Sequence, residues 1–115
     1  MSDELGFDEY QRLAARTALY PGRGGETIAA YPALGLAGEA GEVCEKVKKA
    51  IRDDEGKITD DRRQALKKEL GDVLWYVAAL SSELDFSMSE IARNNVEKLA
   101  DRKRRGAIRG QGDDR

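Results

Sequence analysis

Apolar residues recur every three or four positions along most of the chain, which is the period of an α-helix. The pattern predicts four helices, over about residues 5–19, 32–52, 59–84 and 87–103. Thr59 is a favourable N-cap for the third helix, and Ser87 with Glu90 forms a capping box before the fourth. No stretch alternates between apolar and polar residues as a half-buried strand does. The sequence therefore predicts an all-α fold, a bundle of four or five antiparallel helices.

The second and third helices each carry an apolar stripe, and we expect the two stripes to pack against each other. The stripe of the second helix consists of Leu36, Ala40, Val43, Val47 and Ile51. That of the third helix consists of Leu66, Leu70, Val73, Val77, Leu80 and Leu84. Only a short polar turn separates the two helices, and a short connection favours antiparallel packing.

Each of these helices also carries two acids three residues apart, Glu39 with Glu42 and Glu69 with Asp72. Like charges at this spacing lie on one helix face and destabilise a helix by about 0.2–0.5 kcal/mol. With about 100° per residue, each pair lies about 60° and 120° to the same side of its own stripe. In an antiparallel pair, the four carboxylates should therefore gather at one rim. Divalent cations such as Mg²⁺ prefer oxygen ligands and would compensate the repulsion.

Two further side chains lie on the same flank of these helices, about 80° from the stripes. Lys46 can contact a phosphate oxygen or pair with Glu42 on its own helix. Tyr76 can contact a sugar or a base, or simply cover the edge of the core. Both alternatives stay open from the sequence.

Composition and charge exclude several classes of protein. The net charge is −2, although 37% of the residues are charged, so there is no basic surface typical of nucleic-acid binding. There is no histidine and only one cysteine, Cys44. This excludes triads that use histidine, histidine-ligated metals and an intrachain disulfide. No apolar segment is long enough to cross a membrane and no signal peptide is visible, so we expect a cytoplasmic protein.

The chain length of 115 residues fits one domain, which we place at residues 1–105. Residues 106–115 are rich in Gly, Asp and Arg and are expected to form a flexible tail. The segment from Val73 to Leu80 is apolar almost all round, and Trp75 points away from its stripe. Such a helix needs burial on more than one side, which indicates a homo-oligomer.

The two acidic pairs, with the sequences around them, resemble the MazG-like family of all-α NTP pyrophosphohydrolases. The shared signature is Glu-x-x-Glu followed by Glu-x-x-Asp, here Glu39 to Glu42 and Glu69 to Asp72. The neighbouring words GLAGEAGEV and KELGDVLWY are also similar to the helices of that family, and the resemblance spans about residues 31–105.

The resemblance implies a Mg²⁺-dependent enzyme, with Mn²⁺ as an alternative ion, that cleaves a nucleoside triphosphate to a monophosphate and pyrophosphate. It implies a homodimer or homotetramer and a role in cleaning the nucleotide pool. The positions that match the metal ligands of the family are Glu39, Glu42, Glu69 and Asp72. Those that match its substrate contacts are Tyr76, Asn95, Lys98 and Arg102. We add Lys46 to the substrate contacts because of its position on the second helix. Some relatives have a further acid just before the first pair, where this chain has Gly38.

The expected reaction is attack of water on the α-phosphorus, with pyrophosphate as the leaving group. The metal ions would lower the pKa of that water and neutralise the pyrophosphate. Glu42 is a candidate proton acceptor because no histidine is present. Two alternatives remain open: a helical interaction module without enzymatic activity, and a hydrolase of another metabolite that contains pyrophosphate.

Overall fold

The computed structural model describes residues 4–25, 29–113 and 115, and within them it contains four α-helices and no strand. The helices are α1 (Phe7–Ala15), α2 (Ala30–Asp53), α3 (Asp60–Glu83) and α4 (Met88–Arg105). The all-α class predicted from the sequence is confirmed. No helix in the described part of the chain is long and apolar enough to span a membrane.

The starts of α3 and α4 follow the predicted caps. The side chain of Thr59 accepts a hydrogen bond from the backbone N–H of Arg62, and that of Ser87 accepts one from the N–H of Glu90. Each cap satisfies one of the N–H groups that a helix leaves without an internal partner. At the other end of α4, Gly106 adopts a left-handed conformation with φ of 70°, which ends the helix as glycine commonly does.

Four helix boundaries differ from the prediction by two residues or more, and two of these are the start of α1 at Phe7 and the end of α4 at Arg105. The helix α1 ends at Ala15 rather than near Leu19, and Thr17 then donates its hydroxyl hydrogen bond to the carbonyl of Ala14 in a tighter turn. The helix α2 starts at Ala30, two residues before Pro32. Proline is tolerated there because a helix has no partner for the N–H groups of its first turn.

The helices α2 and α3 are antiparallel neighbours, as predicted. Gly35 lies beside Tyr76, Lys46 pairs with Glu69, and Arg62 pairs with Asp54, so positions increase along one helix as they decrease along the other. The connection between the helices spans only residues 54–59.

The two apolar stripes face each other only in part: Leu36 and Val43 on α2 and Leu66 and Val73 on α3 are half-buried, and other members of both stripes are exposed. Val47 and Ile51 on α2 are 38% and 66% exposed, and Leu70 on α3 is 57% exposed. The contact instead runs through Gly35, Lys46 and the fully buried Ala50. These positions lie about 40–100° from Leu36, on the side of the acids. The small residues Gly35 and Ala50 allow the helices to approach on this flank, so both stripes are turned partly outward.

The helix α1 packs across α3, and α4 packs on α1. A small core forms where they meet, with Ala14, Ala78 and Met88 buried and Tyr10, Leu74, Trp75 and Val77 packed around them. Trp75 packs against the cluster that contains Ala14 and donates its indole hydrogen bond to Thr17, so α1 and the turn after it cover this side of α3. We had expected a partner subunit to provide that cover.

The segment after α4 turns back onto that helix. Arg102 donates hydrogen bonds to the backbone carbonyl and the carboxylate of Asp113, and Arg115 donates to the carbonyls of Ala107 and Ile108. The flexibility expected of residues 106–115 stays a prediction.

Candidate functional site

Three of the four predicted acids converge between α2 and α3. Carboxylate oxygens of Glu39, Glu69 and Asp72 all lie within 4.8 Å of one another. We call these three residues the acid triplet. Glu39 and Glu69 are half-buried in the contact between the helices, and Asp72 is exposed at its edge. The outward rotation of the apolar stripes explains this placement, because it turns the acids from the rim into the contact.

The position of Glu39 is electrostatically unfavourable for an ionised carboxyl. Desolvation by burial is the largest cause that raises its pKa above the usual 4.5. A hydrogen bond with the carboxyl of Glu69 and the negative charges of Asp72, Glu69 and Glu42 raise the pKa further. Crowded carboxyls of this kind either hold a proton or favour a bound cation.

The fourth predicted acid, Glu42, is exposed and does not belong to the acid triplet. It is close enough that its charge raises the pKa of Glu39. The structure therefore places Glu42 at the outer edge of the cluster, one helical turn along α2 from Glu39.

Lys46 forms an ion pair with a member of the acid triplet, and not with Glu42 on its own helix. Its ammonium nitrogen lies 3.2 Å from a carboxylate oxygen of Glu69 across the contact between α2 and α3. The sequence offered Glu42 as its ionic partner. In the structure Lys46 instead compensates one negative charge of the triplet and places a cation at one end of it.

A cavity of about 380 Å³ opens on the other side of the triplet. Its lining consists of Thr17, Glu39, Asp72, Trp75 and Tyr76. Tyr76 thus shares one cavity with two of the acids, as its helical position suggested. The pKa of the Tyr76 phenol is raised, first by burial and then by the charges of Tyr31, Glu39 and Asp72.

Aromatic rings form a continuous row beside this cavity. The rings of Tyr20 and Tyr31 are stacked with centroids 5.3 Å apart, Tyr20 meets Trp75 edge-on at 6.3 Å, and Trp75 meets Tyr76 edge-on at 5.0 Å. Sequence reasoning singled out only Tyr76 for this site. It assigned Trp75, which lines the cavity, to a subunit interface. It also missed Thr17 in the cavity and Tyr20 in the aromatic row, because the packing of α1 against α3 that brings them there has no local sequence signal.

The predicted substrate contacts on α4 lie away from the acid triplet within this chain. Asn95 and Lys98 line a separate cavity with Phe86, Ser87 and Glu90 among others. Lys98 and Arg102 both pair with Asp113 of the tail, and only 4% of the Arg102 surface is exposed. None of these α4 residues lines the cavity beside the triplet.

Comparison with known proteins gives a family and one curated relative. The family model described as "MazG nucleotide pyrophosphohydrolase domain" matches residues 27–106. The chain is 50% identical over 111 residues to a protein of Mycobacterium phage L5 named "Gene 37 protein". This alignment covers 94% of the chain and 97% of the phage protein. No solved structure matches the chain.

Proposed function

We propose that this chain, which belongs to the MazG nucleotide pyrophosphohydrolase family, hydrolyses a nucleoside triphosphate. The substrate would be a ribo- or deoxyribonucleotide, and the products would be the monophosphate and pyrophosphate. Water would attack the α-phosphorus, and pyrophosphate would leave. The proposed role is the removal of unwanted nucleotides from the cytoplasmic pool. The relative from the phage carries no activity in its name, so the proposal rests on the family and on the site.

The observation that carries the proposal is the acid triplet beside an aromatic cavity. Three carboxylates this close together repel one another, and desolvation with the neighbouring negative charges raises the pKa of Glu39, so the group is destabilising unless something compensates it. A triphosphate brings negative charge as well, so only cations shared between protein and substrate make this arrangement favourable. The cavity next to the triplet has room and aromatic walls for part of a nucleoside.

The donor set of the triplet fits Mg²⁺, with Mn²⁺ as a substitute. All donors are carboxylate oxygens, which these hard ions prefer, and Mg–O bonds of about 2.0–2.1 Å place ligands on opposite sides of one ion about 4 Å apart. The spacing within 4.8 Å in the triplet is compatible with this geometry. Glu39, Glu69 and Asp72 would hold the ion, and Glu42 would join from its exposed position. When bound, the metal supplies positive charge to the phosphates and makes the attacking water more acidic.

The remaining residues of the site have distinct proposed tasks. Lys46 would exchange Glu69 for a phosphate oxygen once a cation neutralises that acid. Tyr76 would contact the nucleoside in the cavity it lines. Glu42 is exposed one helical turn from Glu39 and is our candidate for accepting the proton from water.

We also propose that the chain forms a homodimer or homotetramer. Asn95, Lys98 and Arg102 lie away from the triplet in one chain, so their predicted contact with substrate requires α4 of a second copy. Large apolar side chains are exposed on α2, α3 and α4, which supports such an assembly.

Pyrophosphate release from a panel of ribo- and deoxyribonucleoside triphosphates tests the function, with Mg²⁺ and with EDTA. We expect Mg²⁺-dependent release from at least one of them, and a loss of at least about 100-fold in Glu39→Gln and Asp72→Asn. Glu45→Gln is the matched control, because Glu45 lies on the same helix but pairs with Lys48 and Lys49.

The products distinguish the alternatives. Orthophosphate instead of pyrophosphate, or activity only on another compound with a pyrophosphate bond, would favour the second hydrolase considered from the sequence. No turnover of any nucleotide with either Mg²⁺ or Mn²⁺ would contradict the proposal and favour a helical interaction module.

A further inference from the structure

Gly35 lies directly against the ring of Tyr76. A Cβ atom added at Gly35 would be 2.2 Å from Cε1 of that ring and 2.4 Å from Cζ. These distances are far below van der Waals contact, so only a residue without a side chain allows the ring to lie there. A tyrosine ring is rigid, and it cannot yield as the end of a flexible chain can.

The other glycines near the acids on α2 have no such neighbour. A Cβ at Gly38 or at Gly41 would meet nothing within 4 Å among the described residues outside its own helix and chain neighbours. A glycine inside a helix destabilises it by about 1 kcal/mol relative to alanine. At Gly35 the contact with Tyr76 provides a reason for the glycine, and at the other two positions packing provides none.

The contact between Gly35 and Tyr76 continues the acid triplet by one helical turn. Gly35 precedes Glu39 by four residues, and Tyr76 follows Asp72 by four, so the contact lies on the same faces of α2 and α3 as the acids. With one face of its ring on Gly35, Tyr76 also lines the cavity that contains Glu39 and Asp72. The ring is thus a wall of that cavity, and Gly35 determines how far it reaches into it.

The site therefore has a direction along α2. Gly35 with the Tyr76 ring comes first, the acids follow, and Lys46 comes after them at the end that carries an ammonium group. A nucleoside triphosphate has the same order of chemistry, with an aromatic base and sugar at one end and its terminal phosphates at the other. Cations between the acids and the α-phosphate would leave the nucleoside beside Tyr76 and the pyrophosphate beside Lys46.

We propose that Gly35 is a positioning residue: it seats the Tyr76 ring as the wall that receives the nucleoside, and so orients the substrate with its pyrophosphate toward Lys46. This inference rests on the proposed function and adds to it a residue and a direction of binding. Gly35 itself touches no substrate and acts through Tyr76.

The test is Gly35→Ala, with Gly38→Ala as the matched control. We expect Gly35→Ala to raise KM for the best triphosphate and to weaken binding of its monophosphate by about tenfold or more, with a smaller change in kcat. Inhibition by inorganic pyrophosphate should change less than about twofold, because pyrophosphate lacks the nucleoside. Gly38→Ala should leave all four constants unchanged.

The fluorescence of Trp75 in the folded protein provides a second measurement, which a general loss of stability would not change. Trp75 is the one tryptophan of the chain and meets the Tyr76 ring edge-on at 5.0 Å. Its fluorescence in the folded protein should change in Gly35→Ala and stay as in the wild type in Gly38→Ala.

The variant Tyr76→Leu, alone and combined with Gly35→Ala, completes a double-mutant cycle. If Gly35 acts through the ring, Gly35→Ala should no longer affect monophosphate binding once the ring is absent. If Gly35→Ala fails to fold, Tyr76→Leu alone must still weaken monophosphate binding and spare pyrophosphate. An unchanged KM in Gly35→Ala, or equal loss of affinity with and without the ring, would overturn the inference but leave the proposed function intact. A wild-type chain that neither hydrolyses nor binds nucleotide would overturn both.

Discussion

Three carboxylates placed this close together are a source of repulsion within the chain. Glu39 is the residue most affected, since burial and three negative neighbours all disfavour its ionised form. Lys46 offsets part of this charge through Glu69, yet it leaves Asp72 and Glu39 facing the same cavity. A fold that keeps such a group gains stability when the repulsion is removed, either by a cation or by mutation.

We therefore expect Glu39→Gln to stabilise the protein in EDTA and to abolish its stabilisation by Mg²⁺. The amide is nearly the same size as the carboxyl but carries no charge, so its repulsion with Asp72 and Glu69 disappears together with a metal ligand. Thermal unfolding of the wild type in EDTA and in excess Mg²⁺ should show a clear rise in Tm that the variant lacks.

The control for this prediction is Glu45→Gln, whose carboxylate pairs with Lys48 and Lys49 at the surface. It should keep the full response to Mg²⁺ and gain no stability in EDTA. A Glu39→Gln protein that is less stable than the wild type in EDTA, or that still responds to Mg²⁺, would show that the triplet is not the metal site.

At this scale the sequence predicted the convergence of Glu39, Glu69 and Asp72, because all three follow from helical spacing and an antiparallel turn. It could not place Glu42 outside the triplet, since that depends on the rotation of α2 about its own axis. The sequence also could not identify Tyr20 or Thr17 as neighbours of the site, because their positions depend on packing between segments that are far apart in the sequence. The roles of all these residues stay predictions.

The helices themselves were predictable because their signals are local. Capping at Thr59 and Ser87 and the left-handed glycine Gly106 are determined by a few neighbouring residues. The rotation of α2 and α3 is a different kind of property. It depends on where small residues such as Gly35 and Ala50 allow two backbones to approach, and an apolar stripe alone does not show this.

Two side chains of α1, Asp8 and Gln11, accept hydrogen bonds from the start of α4, and only Asp8 is charged. Asp8 accepts hydrogen bonds from the hydroxyl of Ser87 at 2.7 Å and from the backbone N–H of Ser89 at 3.1 Å, both at the start of α4. The hydrogen bond of Ser87 is the largest cause that lowers the pKa of Asp8 below its usual 3.8, followed by that of Ser89. The folded state therefore favours the ionised form.

From this shift we expect Asp8→Asn to destabilise the protein at neutral pH and to have little effect in acid. A carboxyl with a lowered pKa contributes stability above its unfolded pKa and loses it as the pH falls through the folded pKa. Denaturant unfolding from about pH 7 down to about pH 2 should thus show a difference between wild type and variant that shrinks below about pH 4.

The neighbouring acid provides the control for this pH dependence. Glu9 pairs with Arg12 on the same exposed helix face at 3.4 Å, so Glu9→Gln should change stability little at any pH. A difference between wild type and Asp8→Asn that persists undiminished at about pH 2 would mean that Asp8 acts through packing rather than through its charge.

The chain is less compact than a single domain of its length usually is. Its radius of gyration is 17.1 Å, whereas a compact domain of this size has about 13 Å. The buried core is small and consists largely of alanines, while several large aliphatic side chains on α2 and α3, such as Ile51 and Leu70, remain exposed. The membership in an all-α family could be inferred from the sequence, but this incomplete burial could not, since it follows from the rotation of the stripes.

That rotation leaves large apolar side chains exposed on both α2 and α3. Val47, Ile51 and Leu70 lie within about 60° of their stripe centres, and all three are more than a third exposed. Two such helix pairs, placed face to face, would form a four-helix bundle with an apolar interior. A stable interface of this kind buries about 800 Å² on each partner.

We expect the wild-type chain to have the mass of a dimer or a larger assembly in sedimentation equilibrium at micromolar concentration, and Leu70→Glu to shift it toward the monomer. The introduced carboxylate would be buried without a partner in the assembly, whereas it would be solvated in the monomer. Gln64→Glu adds the same charge to an exposed position about 120° away on α3 and should keep the wild-type mass. A monomeric wild type, or equal dissociation in both variants, would contradict an interface formed by the rotated stripes of α2 and α3.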